Sequence, residues 1–295
     1  MRISNRVIVL FLLPASALYL IFFLVPALWA FFYSLFDWRG FGTDMKFIGL
    51  DNYTELINDR LFRLSMSHTL IILLAGGVIV FGIAFVMTMM LSSGIRGKKL
   101  FRAIIFLPNV IAIIALTTLW GYIYTPRNGL LGAFFGKLGL EHLESFTWLG
   151  PDTIFVAMTV AIIWIEVGFY LVLLMAGVDK IPIDYYEAAK LDGANQFQMF
   201  IRITVPLLWD VITVGMVLWS IYAVKIFEFP FSFTGLEPNV DTYTVAVYLY
   251  IQGFGQRQPI YRLGYATAIG VMLLLVVIVI VLILRRAMRR EVVEY

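Results

Sequence analysis

The stretch TIFVAMTVAIIWIEVGFYLVLLMAGV, residues 153–178, decides the fold class of this chain. It is apolar almost throughout and contains one charged residue, Glu166. A transmembrane helix needs about 20 largely apolar residues, so this run is long enough to cross a bilayer. Five further runs in the 295-residue sequence also qualify, and together they predict six membrane spans. The approximate bounds of the other five are 7–36, 69–91, 103–124, 206–229 and 263–284.

The overall composition agrees with a location in the membrane. The chain is 61% hydrophobic and 14% charged, with a mean hydropathy of +0.91, whereas soluble domains carry roughly 25% charged residues. So few charges cannot cover a globular surface, which excludes water-soluble enzymes, disordered chains and nucleic-acid binders despite the net charge of +3. We therefore predict an all-α integral membrane protein with a single transmembrane domain over residues 1–295.

The sequence gives no basis for metal or thiol chemistry. It has no cysteine, and its two histidines, His68 and His142, are far apart and form no ligand-spaced motif. The sequence also contains no phosphate-binding loop of the form G-x-x-x-x-G-K-[ST]. The nearest match, at residues 94–99, has the wrong spacing between its glycines. We expect no catalytic residue, no metal and no cofactor on this chain.

The first apolar run is longer than one bilayer crossing requires and contains Pro14 and Pro26. We predict one helix with a kinked or partly interfacial extension. The alternative is a cleaved signal peptide, because Ala15-Ser16-Ala17 resembles a small-residue cleavage site. The apolar run continues for about twenty residues beyond that point, so an uncleaved first span is the better interpretation.

The orientation follows from the positions of lysine and arginine in short loops. The N-terminal MRISNR, the 92–102 loop and the C-terminal tail RRAMRREVVEY are rich in basic residues. With six spans these three segments fall on one side, so we predict that both termini are cytoplasmic. The same parity places the segment 179–205 in the cytoplasm.

Segment 179–205 is too polar to cross a bilayer and too long for a tight turn. Asp184 and Glu187 have the spacing of a variant capping box, Gly193 is suited to end a helix, and Pro206 opens the next span. We predict a first helix before Gly193 and a second over residues 195–203, both at the inner membrane face. An interfacial amphipathic element without a partner is the alternative.

This segment resembles the EAA motif of ABC importer permeases. The motif residues are Glu187-Ala188-Ala189, Gly193, Ile203 and Val205-Pro206, with Val205 in place of the usual leucine. The resemblance covers nearly the whole chain, and it is strongest to the carbohydrate-uptake branch with its maltose-type, MalF/LacF-like members. Further matches are Phe47 to Tyr53, Phe101-Arg102, Phe106-Leu107-Pro108, Trp120, Gly129-Leu130-Leu131 and Ile181-Pro182.

The resemblance implies a type I ABC importer permease fold with six transmembrane helices and a cytoplasmic coupling (EAA) helix. It implies that ATP and Mg²⁺ are bound by partners, namely two cytoplasmic ABC ATPase subunits. A second permease subunit is also implied, because the tail lacks the glycine-rich ending of the sister chain, and so is an extracytoplasmic solute-binding protein. The expected location is a bacterial or archaeal cell (inner) membrane. The implied ATPase-coupling residues are Glu187, Ala188, Ala189, Asp192 and Gly193.

Ionisable residues inside a membrane are candidates for the solute path. Lys225 and Glu228 are spaced i, i+3 and are expected to pair with each other. Glu166 is expected on the solute path, unless it only bonds a neighbouring helix or stays protonated. The resemblance implies that the substrate contacts fall on Ile165, Glu166, Phe169, Trp219, Tyr222, Ala223 and Ile226.

The identities at these positions argue against maltose and favour another sugar or oligosaccharide. The polar positions of a maltose site are occupied here by Ala223, Ile226 and Glu166. Two other function classes remain as alternatives: an ion-coupled secondary transporter with Glu166 as its proton relay, and a non-transporting membrane scaffold. No repeat between the two halves of the sequence supports the former.

Overall fold

The structure is a computed structural model that describes residues 5–92, 95–235, 238–256 and 258–289, with side chains from Val9 onward. Residues 1–4, 93–94 and 290–295, which belong to the basic segments used for the predicted orientation, lie outside the described residues. The described chain is mostly helical, with one small antiparallel pair of strands, β1 (Phe36–Asp37) and β2 (Lys46–Phe47).

The described chain contains 17 α-helices in two consecutive groups. The first group comprises α1 (Asn5–Tyr19), α2 (Val25–Tyr33), α3 (Asp51–Asn58), α4 (Arg60–Ile71), α5 (Gly77–Ser92), α6 (Lys98–Phe106), α7 (Ile113–Ile123), α8 (Leu130–Lys137) and α9 (Glu141–Glu144). The second comprises α10 (Ile154–Val178), α11 (Asp184–Leu191), α12 (Gln196–Met199), α13 (Val205–Leu207), α14 (Trp209–Lys225), α15 (Glu228–Ser232), α16 (Val245–Phe254) and α17 (Leu263–Ala287). Wider π-helical turns occupy Leu20–Leu24, Ile72–Gly76 and Phe200–Thr204, and 3₁₀ turns occupy Leu107–Val110 and Val240–Thr242.

Among the described residues, five helical segments are long and apolar enough to cross a membrane, or six if one bent pair counts as a span. The bent pair is the predicted span 103–124, which is not one straight helix. The segments Lys98–Val110 and Ile113–Ile123 meet at an angle of 100°. Pro108 has no amide hydrogen to donate, and Ile111 is extended with ψ 140°, so the helix cannot continue through this point.

The first span is one continuous helical segment that contains both of its prolines. Pro14 lies within α1, and the π-helical turn Leu20–Leu24 precedes Pro26. A wider turn accommodates a residue that cannot donate its backbone amide. The expected irregularity therefore appears as a local change of helix type near Pro26.

The described residues form two compact units. The first contains the residues up to Arg63 together with Tyr248–Leu275, and the second contains Leu64–Val247 together with the residues from Val276 onward.

The first unit is organised around the carboxylate of Asp59, just before α4. Its Oδ1 accepts the backbone amides of Leu61 at 2.8 Å and Phe62 at 3.4 Å, which caps the helix. Its Oδ2 accepts the hydroxyl of Tyr265 at 2.8 Å and also that of Tyr248. Burial raises the pKa of Asp59, but the four hydrogen bonds outweigh it and hold the pKa below its usual value.

The second unit is built around α10, which packs along α5 and also contacts α6 and α14. The helix α10 meets α6 at Gly168, where an added Cβ would lie 2.3 Å from the carbonyl oxygen of Ile105. The missing side chain therefore allows the backbones to approach closely. The helices α5 and α10 also share an apolar cluster of Leu91, Leu171 and Met175, against which Met87 and Ile105 pack.

Replacing Asp59 tests the network of the first unit. Asp59→Ala removes the helix cap and leaves two buried tyrosine hydroxyls without their acceptor, so we expect a loss of about 2 kcal/mol of stability. The measurement is the thermal unfolding midpoint of the purified protein in mild detergent at neutral pH. Asp44→Ala, at an exposed carboxylate of the same unit, is the control and should leave the midpoint unchanged.

The pH dependence provides a second readout for this substitution. Because the pKa of Asp59 is lowered by folding, its contribution is complete above the unfolded-state pKa of about 3.9 and is lost as the pH falls further. The difference between wild type and Asp59→Ala should therefore shrink below that pH. A difference that stays constant through this range would contradict the role of the charged carboxylate.

Candidate functional site

The cytoplasmic loop predicted from the sequence forms a short exposed helix, α11, that begins at Asp184. The predicted capping box is wrong, because the N-cap residue is Ile183 and no side chain caps the helix. Ile183 already has helical backbone angles (φ −63°, ψ −28°), so Asp184 and Glu187 lie within the first turn. There their negative charges favour the helix through its dipole instead.

The predicted end of this helix is confirmed. Gly193 has φ +78°, a left-handed conformation that favours glycine, and the amide of Ala194 donates to the carbonyl of Ala189 at 2.9 Å. The next short helix, α12, is capped by Asn195, whose side chain and that of Gln198 bond each other's backbone amides at 2.9 Å. This capping box was not predicted, although the Asn-x-x-Gln spacing that indicates it is present in the sequence.

The coupling residues implied by the EAA resemblance lie on the outside of this loop. Glu187, Ala188, Asp192 and Gly193 are exposed, and Ala189 is half-buried. Leu191 is 89% exposed, which is unusual for a leucine and leaves an apolar contact available to a partner. On its inner side the helix is held by Tyr186, whose hydroxyl lies 2.9 Å from Thr204 Oγ1.

In the membrane-spanning part, Glu166 and Tyr222 come together. The hydroxyl of Tyr222 on α14 donates a hydrogen bond to the Glu166 carboxylate on α10, and Tyr170 and Glu228 lie close enough to interact electrostatically. A buried polar group is costly unless it is hydrogen-bonded, so the bond to Tyr222 explains how a carboxylate is accommodated here.

Next to this pair lies a cavity of about 370 Å³ with polar and aromatic walls. Two of the implied substrate-path residues, Tyr222 and Ile226, line this cavity together with Lys225 and Glu228. Its lining residues are Ile113, Tyr222, Lys225, Ile226, Phe227, Glu228 and Phe229. This combination of rings, hydroxyl, ammonium and carboxylate suits a polar ligand with apolar faces.

The predicted ion pair between Lys225 and Glu228 is not formed among the described residues. Lys225 is the last residue of α14, and the chain becomes extended at Ile226 (φ −60°, ψ 119°) before α15 begins at Glu228. The i, i+3 relation holds only within one helix, so the break separates the two side chains. The carbonyl of Ile226, released from the helix, accepts the hydroxyl of Thr244 at 2.7 Å.

The other implied substrate-path residues do not share one surface. Ile165 and Ala223 are buried, while Phe169 is 37% exposed. Trp219 is 3% exposed, and its indole Nε1 donates to the carbonyl of Leu73 at 2.8 Å within the π-helical turn of the second span. Its ring fills the space above Gly77, where a Cβ would lie 2.5 Å from it. Trp219 therefore packs helices together.

Two polar contacts made by α10 were not predicted, one beside the cavity and one at the far end of the helix. The side chain of Asn109 donates to the carbonyl of Ile165 at 2.8 Å, directly before Glu166. At the end of α10, Arg102 forms a bidentate ion pair with Asp179, with distances of 2.9 and 3.3 Å. The hydrogen bond with Arg102 holds the pKa of Asp179 below its usual range.

A family model described as "Binding-protein-dependent transport system inner membrane component" matches residues 79–293. The chain belongs to this family. It is thus a membrane-spanning subunit of a transport system, a permease.

Similar proteins agree with this assignment. The permease is 34% identical over 270 residues to the diacetylchitobiose uptake system permease protein NgcF of Streptomyces coelicolor, covering 87% of this chain and 75% of the relative. It is 31% identical over 241 residues to the trehalose/maltose transport system permease protein MalF of Thermococcus litoralis, covering 81% and 80%.

A solved structure shows the fold. The crystal structure of a bacterial ABC transporter involved in the import of the acidic polysaccharide alginate contains a chain that matches with a TM-score of 0.80 at 24% identity. The match covers 97% of this permease and 96% of that chain. The predicted fold class, an all-α type I importer permease, is confirmed.

Trp219→Ala distinguishes a packing role from a ligand contact. Removing a buried indole leaves a cavity in the helix packing and costs about 3–5 kcal/mol, so we expect a clearly lower thermal midpoint in detergent. Trp29→Ala is the matched control, because Trp29 is 51% exposed and should leave the midpoint nearly unchanged. A Trp219→Ala permease with an unchanged midpoint but lost transport would instead give the ring a direct role on the solute path.

Proposed function

We propose that this chain is the permease subunit of an ATP-driven ABC importer for a sugar or oligosaccharide, working by alternating access. The observation that carries the proposal is the match to the binding-protein-dependent permease family over residues 79–293. The sugar class is supported by the relatives, which are named for diacetylchitobiose and for trehalose and maltose.

The cavity beside Glu166 is the proposed solute path. Sugars present C–H faces that pack on aromatic rings and hydroxyls that need a few well-placed polar partners. Phe227 and Phe229 supply rings, while Tyr222, Lys225 and Glu228 supply donors and acceptors. Glu166 accepts a hydrogen bond from Tyr222. In the proposed path it either orients the Tyr222 hydroxyl toward the solute or accepts a hydrogen bond from a hydroxyl or amide group of the solute. The charged lining favours a saccharide with additional polar groups.

The exposed loop carrying α11 is the proposed contact with a cytoplasmic ATPase. Glu187 supplies a negative charge, Leu191 an apolar contact, and Gly193 the turn that shapes the helix end. This chain has no phosphate-binding loop, so ATP must be bound by partner subunits. In the proposed complex these are two ATPase subunits on the cytoplasmic side, which bind ATP and Mg²⁺. A second permease subunit completes the pathway as a heterodimer, and an extracytoplasmic binding protein delivers the solute. Both termini are cytoplasmic in this arrangement.

The cycle couples these two sites. Closure of the ATPases on ATP displaces α11, and the helix bundle changes from inward-facing to outward-facing. The solute then enters from its binding protein, and ATP hydrolysis restores the inward-facing state. The alternative, an ion-coupled transporter with Glu166 as proton relay, is not favoured, because the chain belongs to a binding-protein-dependent family.

Purification from the native membrane tests the proposal directly. The tagged permease should co-purify with an ATPase and a second permease, and the complex should show vanadate-sensitive ATP hydrolysis stimulated by a saccharide-loaded binding protein. A panel of loaded saccharides that includes maltose and N-acetylated disaccharides would identify the substrate. Reproducible isolation of a lone chain without ATPase activity would contradict the proposal.

Glu187→Lys tests the coupling contact. Reversing an exposed charge in the first turn of α11 should abolish saccharide uptake while the permease still inserts in normal amounts, because the ATPase contact becomes repulsive. The measurements are uptake of labelled saccharide by vesicles and the quantity of permease in the membrane. Glu141→Lys, at an exposed position in α9, makes the same charge change elsewhere and should leave uptake unchanged. Normal uptake by Glu187→Lys would refute the coupling role.

Glu166→Gln tests the solute path. The amide still accepts the Tyr222 hydroxyl but lacks the charge that strengthens hydrogen bonds, so we expect uptake to fall roughly tenfold. Uptake by vesicles supplied with ATP and loaded binding protein is the measurement, repeated with an uncoupler to check that the ion gradient is irrelevant. Glu144→Gln, outside the spans, is the control. If Glu166→Gln takes up saccharide at the wild-type rate, the Glu166 carboxylate is not part of the solute path.

A further inference from the structure

Asp179 stands at an electrostatically unfavourable position. It follows the last residue of α10, a helix of 25 residues, and serves as its C-cap. The C-terminus of a helix carries a partial negative charge, so a carboxylate there is disfavoured and a cation would be preferred. An acid at this position therefore requires compensation from outside its own helix.

The compensation comes from α6. Arg102 donates from both terminal nitrogens to the two carboxylate oxygens of Asp179, at 2.9 and 3.3 Å, and Lys98 lies 3.7 Å away on the same face. The Arg102 side chain is only 20% exposed, whereas that of Asp179 is 46% exposed. This bidentate geometry fixes direction as well as distance, so the pair holds the end of α10 in one orientation relative to α6.

The same two helices are joined at two further levels. In the middle, the backbone of α6 rests on Gly168 of α10, where a Cβ would lie 2.3 Å from the Ile105 carbonyl oxygen. Beyond the end of α6, Asn109 donates to the carbonyl of Ile165 at 2.8 Å. The two helices are therefore in contact at Asp179, at Gly168 and at Ile165. These three contacts leave little freedom for α6 to slide along α10.

The two ends of this paired segment lead to the two sites of the permease. Asp179 begins the loop that carries α11, the proposed ATPase contact. At the other end, Asn109 lies in the 3₁₀ turn before the 100° bend, and the next helix begins at Ile113, which lines the cavity with Tyr222.

We propose that the Arg102–Asp179 ion pair is a positioning contact that fixes the base of the coupling loop to α6, so that displacement of the loop is transmitted to the bend beside the cavity. This inference rests on the proposed function, because it assigns a role in the transport cycle to residues that touch neither ATP nor solute. The Asp179 side chain is nearly half exposed, and an ion pair that reaches solvent adds little to stability, so the loss of this pair should affect coupling far more than folding.

Charge reversal with rescue is the test. The complete importer is reconstituted in liposomes with ATP and saccharide-loaded binding protein. Its permease is the wild type, Arg102→Asp, Asp179→Arg or the double reversal. The readout is the number of ATP molecules hydrolysed per saccharide imported. We expect each single variant to raise this ratio roughly tenfold, as typical coupling between sites predicts, and the double reversal to return most of the way to wild type.

Two further variants separate pairing from bulk charge and from misfolding. Lys99→Asp changes the charge of the same helix at an exposed neighbour and should leave the ratio unchanged. Arg102→Lys keeps the charge but loses the bidentate fork, so it should fold normally and give an intermediate ratio. It therefore tests the proposal even if a reversed variant is unstable.

The outcomes distinguish this inference from the proposed function. Three results would each overturn the positioning role while leaving the importer established. They are single variants with the wild-type ratio, a double reversal whose ratio does not recover, and a Lys99→Asp ratio as high as that of Arg102→Asp. A wild-type complex that neither imports a saccharide nor responds to the loaded binding protein would instead remove the proposed function.

Discussion

The fold depends on the requirement that every backbone amide and carbonyl inside a membrane be hydrogen-bonded within the protein. Regular helices meet it for most of the permease. At two points where the backbone departs from a regular α-helix, a specific side chain bonds a backbone carbonyl. Trp219 bonds the carbonyl of Leu73 in a π-helical turn, and Thr244 bonds that of Ile226 after α14. These polar side chains are part of the scaffold, because removing one leaves a backbone group unsatisfied in hydrocarbon.

The residues of the proposed solute path lie at departures from regular helix. The break after α6 brings Ile113 to the cavity, and the extended residue Ile226 separates Lys225 from Glu228 so that both line it. A continuous helix would have placed these two charges together and neutralised them within the protein. Irregular backbone thus keeps both charged groups at the cavity wall, while the Glu166 carboxylate accepts a hydrogen bond from Tyr222.

Much of this arrangement could be predicted from local sequence. The apolar runs gave the spans, and the glycine after a short helical segment gave the end of α11, because a left-handed residue strongly favours glycine. The bend in the third span and the capping box of Asn195 and Gln198 were missed although Pro108 and the Asn-x-x-Gln spacing signal them. The position of Trp219 could not be predicted, because an aromatic residue in a span suits packing, lipid contact and ligand binding equally.

The sequence by itself determined that this chain crosses a membrane, that a polar loop interrupts its spans, and that it resembles an importer permease, because hydropathy and motif spacing are properties of neighbouring residues. The tertiary structure alone decided which distant residues meet. The contacts of Arg102 with Asp179, Asn109 with Ile165 and Glu166 with Tyr222 each join separate helices. Such contacts depend on helix rotation and close approach, which are set by packing at positions such as Gly168 and leave no periodic signal in the sequence.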